Sequence, residues 1–231
     1  MPSSNNPLII ALDVESAAEA RQLVAAIGDS CRFYKVGLEL YASAGPEFVR
    51  ELIAGGNDVF VDLKLYDIGE TVKRAVKQVA KLGAKFLTVH AVPQVMRAAL
   101  EGAAGSDLMI LAVTVLTSFD ENDLRDMGHA NMTVAELVEK RVRQAKECGV
   151  SGIVCSPLEV AKVRSILGPG ASLVTPGVRS AGAATGDQKR VATPEDALAN
   201  GASYLVIGRQ VTRAADPAAE VRRILADCGR G

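Results

Sequence analysis

Two carboxylates stand around one lysine in the segment Val61-Asp62-Leu63-Lys64-Leu65-Tyr66-Asp67-Ile68-Gly69-Glu70-Thr71, where an apolar run from Val59 to Leu63 ends. Three charges that close together are poor packing residues. If Asp58 to Leu65 is a strand, side chains alternate between faces, so Asp62 and Lys64 share one face while Leu63 and Leu65 take the other. Asp67 then lies beyond the strand, in a turn leading toward a helix. A lysine beside an ionised aspartate stays protonated, and such a cationic acid can neutralise a carbanion or give it a proton. The competing reading is a salt bridge at a strand end, because structural ion-pair networks gather the same residue types.

Comparable residues stand at the carboxyl ends of other apolar runs: Asp13, Lys35, His90, Thr117 with Ser118, Ser156, Arg179 and Arg209. Each alone has a plainer role. Asp13 could cap a helix, Lys35 could snorkel, and His90 could be a satisfied hydrogen-bonding residue. Their chemistry becomes collective only if one fold brings these ends to one rim.

The chain supplies such a fold. Short aliphatic and β-branched runs alternate with stretches of helical period, the pattern of parallel βα units. Strands are expected at Leu8 to Leu12, Phe33 to Val36, Asp58 to Leu63, Phe86 to Val89, Leu108 to Val115, Gly152 to Cys155, Ser172 to Thr175 and Tyr204 to Ile207. Helices are expected near Ala17 to Ile27, Pro46 to Ala54, Thr71 to Leu82, Gln94 to Ala104, Thr133 to Cys148, Pro157 to Ile166, Pro194 to Asn200 and Ala218 to Asp227. Ser16, Ser156-Pro157 and Thr193-Pro194 read as helix starts. Most strands are apolar on both faces, as expected where helices cover the outside and side chains fill the inside. Eight units in one domain, residues 1–231, favour a (β/α)8 TIM barrel. A Rossmann-like sheet is the alternative, but no G-x-G-x-x-G follows the first strand, where Asp13-Val14-Glu15 stands.

Composition narrows the function. With 231 residues and 48% hydrophobic content there is material for one sizeable core. The 26 basic and 27 acidic residues balance, so neither nucleic acid nor a membrane surface is an expected partner. Cys31, Cys148, Cys155 and Cys228 form no C-x-x-C pair, and His90 and His129 are the only histidines, so no metal site and no disulfide framework is expected. Met1 to Pro7 is polar, and the longest apolar run, near Leu108 to Leu116, is far shorter than a membrane span, which together suggest a cytoplasmic protein.

Two segments read as phosphate binders. Pro176 to Arg190 is rich in small residues and ends in polar and basic ones, which suggests a loop that closes over a ligand. In Ile207-Gly208-Arg209, glycine allows close backbone approach and arginine offers a planar fork for phosphate oxygens. Barrel phosphate sites commonly form after strands seven and eight. An ordinary surface loop carrying an arginine is the plainer alternative.

Taken together the motifs resemble the orotidine 5'-phosphate decarboxylase family over essentially the whole chain. The resemblance is carried by Ala11-Leu12-Asp13, Lys35-Val36-Gly37, Asp62-Leu63-Lys64-Leu65-Tyr66-Asp67-Ile68, Leu116-Thr117-Ser118, Pro176-Gly177-Val178-Arg179, Gln188 and Ile207-Gly208-Arg209. It implies cofactor-free decarboxylation of orotidine 5'-phosphate to UMP. It also implies a homodimer in which Lys35, Asp62 and Lys64 form a charge array with Asp67 of the other subunit, and Lys64 protonates C6. By the same resemblance Asp13 and Lys35 contact ribose hydroxyls, and Ile68 and Thr71 cross the interface. Thr117 and Ser118 touch the pyrimidine, while Arg179, Gln188, Gly208 and Arg209 hold the phosphate.

One departure is visible: Gly69-Glu70 stands where family members often carry Pro-Asn, so no side-chain amide is expected to act at position 70. Glu70 fits the acidic first turn of a helix. Magnesium-dependent relatives share D-x-K-x-x-D, the keto-gulonate phosphate decarboxylase and hexulose phosphate synthase type. They place an acidic ligand where Lys35 stands here, and a lysine would repel the ion. A noncatalytic barrel that senses a nucleotide is the alternative from another class. Retention of all four array charges argues against it.

Overall fold

The apolar runs become eight parallel strands: β1 (Leu8–Ala11), β2 (Phe33–Gly37), β3 (Asp58–Leu65), β4 (Phe86–His90), β5 (Met109–Val113), β6 (Gly152–Val154), β7 (Ser172–Thr175) and β8 (Tyr204–Ile207). The structure is a computed structural model that describes residues 6–180 and 192–229. Each strand pairs with the next, and β8 returns to β1 through Leu8 with Leu205, Ile9 with Val206 and Ile10 with Ile207. The barrel closes as the sequence led us to expect. Every residue of β1 and β2 is buried, which is why these strands read as continuous apolar runs rather than alternating ones.

Aromatic rings plug the amino-terminal end of the barrel. Phe33, Phe86 and Tyr204 open β2, β4 and β8, and their ring centroids lie 5.3 to 5.6 Å apart, with Phe60 of β3 at 6.1 Å from Phe86. Residues two apart on a strand face the same way. One step above this floor therefore come Lys35 from Phe33, Asp62 from Phe60 and Thr88 from Phe86, so the pleat itself lifts a polar layer out of an apolar one.

The outer ring consists of α1 (Ala17–Ile27), α2 (Leu38–Ala54), α3 (Gly69–Ala80), α4 (Pro93–Ala103), α5 (Glu121–Asp126), α6 (Val134–Cys148), α7 (Val160–Leu167), α8 (Pro194–Ala199), α9 (Arg209–Thr212) and α10 (Pro217–Asp227). Ser16 and Thr193 cap α1 and α8 by accepting the Glu19 and Asp196 N–H groups, as their sequence positions suggested. Ser156 does not cap α7. Its hydroxyl accepts the Leu158 N–H at 3.4 Å within a preceding turn, its own N–H goes to the Glu159 carboxylate at 3.0 Å, and the helix begins only at Val160. The helix expected from Pro46 begins instead at Leu38, because Gly45 at φ 68° turns the chain into a kink and the helical path runs on both sides of it. Helix α3 packs tightly on α4: a Cβ on Gly102 would lie 2.5 Å from the Lys73 carbonyl oxygen and 2.8 Å from Val76 Cβ. Glu70 falls in the first turn of α3, where an acidic side chain is favourable. Among the described residues no helix is long and apolar enough to cross a membrane.

Candidate active site

The carboxyl ends of the strands surround a cavity of about 540 Å³ lined by Asp13, Lys35, Asp62, Lys64, Thr117, Arg179, Gly208 and Arg209 among others. On one side the charges form a continuous chain of contacts. Asp13 Oδ1 lies 2.7 Å from Lys35 Nζ, Lys35 Nζ lies 3.7 Å from Asp62 Oδ2, and Lys64 Nζ donates to both Asp62 oxygens at 2.8 and 2.9 Å. Asp13 is thus no helix cap, and Lys35 does not reach out to water: its side chain is 10% exposed. Gly37 leaves room for the pair, since a Cβ there would lie 3.0 Å from Lys35 Nζ and 3.2 Å from Asp13 Oδ1.

Asp62 is the electrostatic centre of the group. Burial pushes its pKa up, but the fields of Lys35 and then Lys64, with hydrogen bonds from Lys64 and Thr88, outweigh that and hold the carboxyl below the usual carboxylate range. It remains an anion at neutral pH. The stabilisation from this pairing is fully present above the ordinary aspartate pKa and is lost only as pH falls through the lowered one.

Lys64 departs from the expected alternation. Its φ is +48°, a left-handed conformation that no other described residue except glycine shares, and the pairing of β3 with β4 shifts register between Val61 and Leu65. Backbone of this kind costs about 1–3 kcal/mol and persists where surrounding contacts enforce it. Asp62 and Lys64 therefore meet through a local distortion as well as through the strand period. Thr88 of β4, a site neighbour that no sequence motif marks, donates to Asp62 Oδ1 at 2.8 Å. The available signal was a hydroxyl in an otherwise apolar strand, two residues after an inward-facing phenylalanine.

The basic forks follow β7 and β8, the latter paired with β1. Arg179 follows β7, where Val178 bridges to Ala192 and the Arg179 N–H donates to the Ala192 carbonyl at 3.0 Å. Arg209 opens the one-turn helix α9, which was too short to read from periodicity. Among the described residues a Cβ on Gly208 would meet nothing nearer than Ala11 Cβ at 3.8 Å. The base of the loop after β7 is anchored at Ser180. Its N–H donates to Gln210 Oε1 at 3.1 Å, and its hydroxyl accepts from Gln210 and Arg223, both of which also bind Glu220. Gln188 and the rest of the segment expected to close over a ligand lie outside the described residues.

Four expected site residues do not line this cavity. Asp67 is exposed and accepts from the Ile68 N–H at 2.6 Å, Ile68 is 74% exposed, and Thr71 and Ser118 face solvent. His90 borders a separate, largely apolar cavity of about 360 Å³ with Tyr66, Phe119, Met127, His129 and Arg141. Its ring meets Tyr66 edge-on at 5.7 Å. Burial first, then Arg141 and Lys64, lower its pKa and keep it neutral. Among the described residues no group of three or more His, Cys, Asp or Glu side chains is arranged to hold a metal.

A closed parallel barrel with lysine–carboxylate pairs and arginines lining one cavity at its strand ends defines a (β/α)8-barrel enzyme with a charged site. The chain belongs to the orotidine 5'-phosphate decarboxylase / HUMPS family, whose sequence pattern matches residues 6–224. It is 54% identical over 220 residues to an orotidine 5'-phosphate decarboxylase of Afipia carboxidovorans, covering 95% of this chain and 93% of that one. A Rhodopseudomonas palustris protein of the same name is 55% identical over 218 residues, 94% of this chain and 92% of its own. The crystal structure of orotidine 5'-phosphate decarboxylase from Lactobacillus acidophilus superposes with a TM-score of 0.86 at 36% identity, covering 97% of this chain and 99% of that one.

Proposed function

We propose that this protein converts orotidine 5'-phosphate to UMP, the last step of pyrimidine nucleotide synthesis, in the cytoplasm and without a cofactor. The observation that carries the reading is the chain of contacts Asp13–Lys35–Asp62–Lys64, which sets two ammonium groups and two carboxylates against a cavity also lined by Arg179 and Arg209. Loss of carbon dioxide from C6 leaves a localised carbanion. With no electron sink to delocalise it, preorganised positive charge must stabilise it as it forms. Lys64 supplies that charge and then the proton. Asp13 and Lys35 hold the ribose hydroxyls, and Thr117 borders the pyrimidine. Arg179, Gln188, Gly208 and Arg209 take the 5'-phosphate, whose binding contributes orientation to a step in which it does not react.

The functional unit in this reading is a homodimer, with Asp67, Ile68 and Thr71 of each subunit completing the other's site. Support comes from their position outside their own chain's cavity and from the exposure of Tyr66 and Ile68, 68% and 74%, on one loop. The family also includes magnesium-dependent enzymes by the resemblance noted above, and the buried Lys35 disfavours a divalent ion at that position. Ultraviolet absorbance of purified protein with orotidylate, with and without EDTA, tests the proposal. Turnover insensitive to EDTA is expected. No turnover, or turnover lost to chelator and restored by magnesium, overturns it.

Arg209→Ala should act through the phosphate. A charge-assisted contact is worth about 1.5–3 kcal/mol, so kcat/KM for orotidylate should fall roughly 10- to 100-fold. Turnover of phosphate-free orotidine is the control. An equal loss with both substrates would mean that Arg209 supports the fold and not the phosphate.

A further inference from the structure

Thr88 is fully buried in β4 and touches both partners of the Asp62–Lys64 pair. Its hydroxyl accepts the Lys64 backbone N–H at 2.9 Å and donates to Asp62 Oδ1 at 2.8 Å. The polarity of these bonds is fixed by chemistry. A backbone N–H can only donate, so the hydroxyl must receive it on a lone pair, and its single proton is left for the carboxylate.

The position of Thr88 explains why both contacts exist. Between the pairs Val61 with Leu87 and Leu65 with Val89, the third strand advances four residues while the fourth advances two. Thr88 is the residue of β4 inside that mismatch, and Lys64 lies within the surplus on β3. In a regular parallel ladder neighbouring backbone carbonyls take the N–H groups. The bulge removes that arrangement locally, and an N–H with no acceptor in a partly buried place is costly. The threonine hydroxyl stands in for the missing carbonyl.

We infer that Thr88 is a positioning residue: its hydroxyl holds the Lys64 backbone in the left-handed conformation and orients the Asp62 carboxylate, so that the Lys64 ammonium is aimed into the cavity. The kinetic part of this inference rests on the decarboxylase reading; the geometric part does not. Without the hydroxyl Asp62 keeps both lysines, so the charge array and nucleotide binding survive. Lys64 loses the contact that enforces its backbone, and the ammonium shifts. Misplacement of a reacting group by about 1 Å commonly lowers a rate by about 10²-fold.

The test uses Thr88→Val, which keeps the shape and removes the hydroxyl, and Thr88→Ser, which keeps the hydroxyl. Thr88→Ala serves as the second hydroxyl-free variant should valine not fold. For Thr88→Val we expect kcat to fall roughly 10- to 100-fold with KM and UMP affinity within about threefold of the parent, and Thr88→Ser to restore kcat to within about threefold. A crystal structure of the hydroxyl-free variant should show Lys64 away from positive φ or the Asp62 carboxylate rotated. Parental kcat in the hydroxyl-free variants, or equal losses in the serine and valine variants, overturns the inference while leaving the decarboxylase reading intact. If the parent itself does not turn over orotidylate, that reading fails separately. The crystal structure then decides alone, and an unchanged Lys64 backbone with an unchanged Asp62 overturns the inference.

Discussion

Replacement of Lys64 by alanine is expected to lower kcat by about 10⁴-fold or more while leaving UMP affinity within about threefold of the parent. In the proposed mechanism two effects fall on the same ammonium: stabilisation of charge that exists only at the transition state, and delivery of the proton that quenches it. Each alone is commonly worth a factor of roughly 10² to 10⁴. Ground-state binding should change little, because UMP carries no carboxylate at C6 and its phosphate lies toward Arg179 and Arg209 in the proposed pose. The fold should also tolerate the change. The Lys64 side chain is 31% exposed, and Asp62 retains Lys35 at 3.7 Å and Thr88 at 2.8 Å. Single-turnover kinetics together with UMP titration separate the two quantities. Activity within tenfold of the parent would remove Lys64 from the role of proton donor.

That prediction draws on residues whose place at the strand ends was legible in the sequence and on geometry that was not. The strands were legible because a parallel barrel buries both faces of each one. Ser172–Thr175 and Tyr204–Ile207 have the bounds read from the apolar runs, whereas the run Leu108 to Val115 shortens to Met109–Val113, with Leu108 and Val115 buried beyond the strand ends. Helix starts were legible where a side chain caps, as at Ser16 and Thr193. They were misread where the same residue types served a turn, as at Ser156, or where Gly45-Pro46 bends a helix instead of beginning one. Helices α5 and α9, of six and four residues, offer too few turns for a period.

The charged residues of the site were legible by type, since lysines and aspartates at apolar strand ends have few structural uses. Their mutual contacts were legible only in part. Asp62 and Lys64 are two apart, so the strand period put them on one face, although their contact also uses the left-handed turn at Lys64. The Asp13 to Lys35 pair joins neighbouring strands at 22 residues' separation, and Thr88 reaches Lys64 across 24. Contacts of that kind depend on barrel register, and the second depends on a bulge that no local propensity announces. A threonine in Phe-Leu-Thr-Val-His reads as an ordinary β-former until its partner strand is known to be out of step.

Mixing inactive Lys64→Ala with inactive Asp67→Ala is expected to restore activity, because the proposed site draws these residues from different subunits. Within one chain Asp67 does not line the cavity that holds Lys64; it is exposed and its carboxylate takes the adjacent Ile68 N–H. A residue so placed can complete a charge array only from across a twofold interface, where each subunit gives what it receives. In a heterodimer of the two variants one site then carries both lesions and the other carries none. After complete exchange of equal amounts, half of the dimers are mixed and each has one intact site of two, so roughly a quarter of parent activity should return. Exchange is followed independently by native mass spectrometry of differently tagged subunits. If mixed dimers form and no activity returns, Asp67 serves its own subunit and the shared site is wrong. If Asp67→Ala alone retains nearly full activity, the array ends at Lys64 and the exposed loop has another purpose.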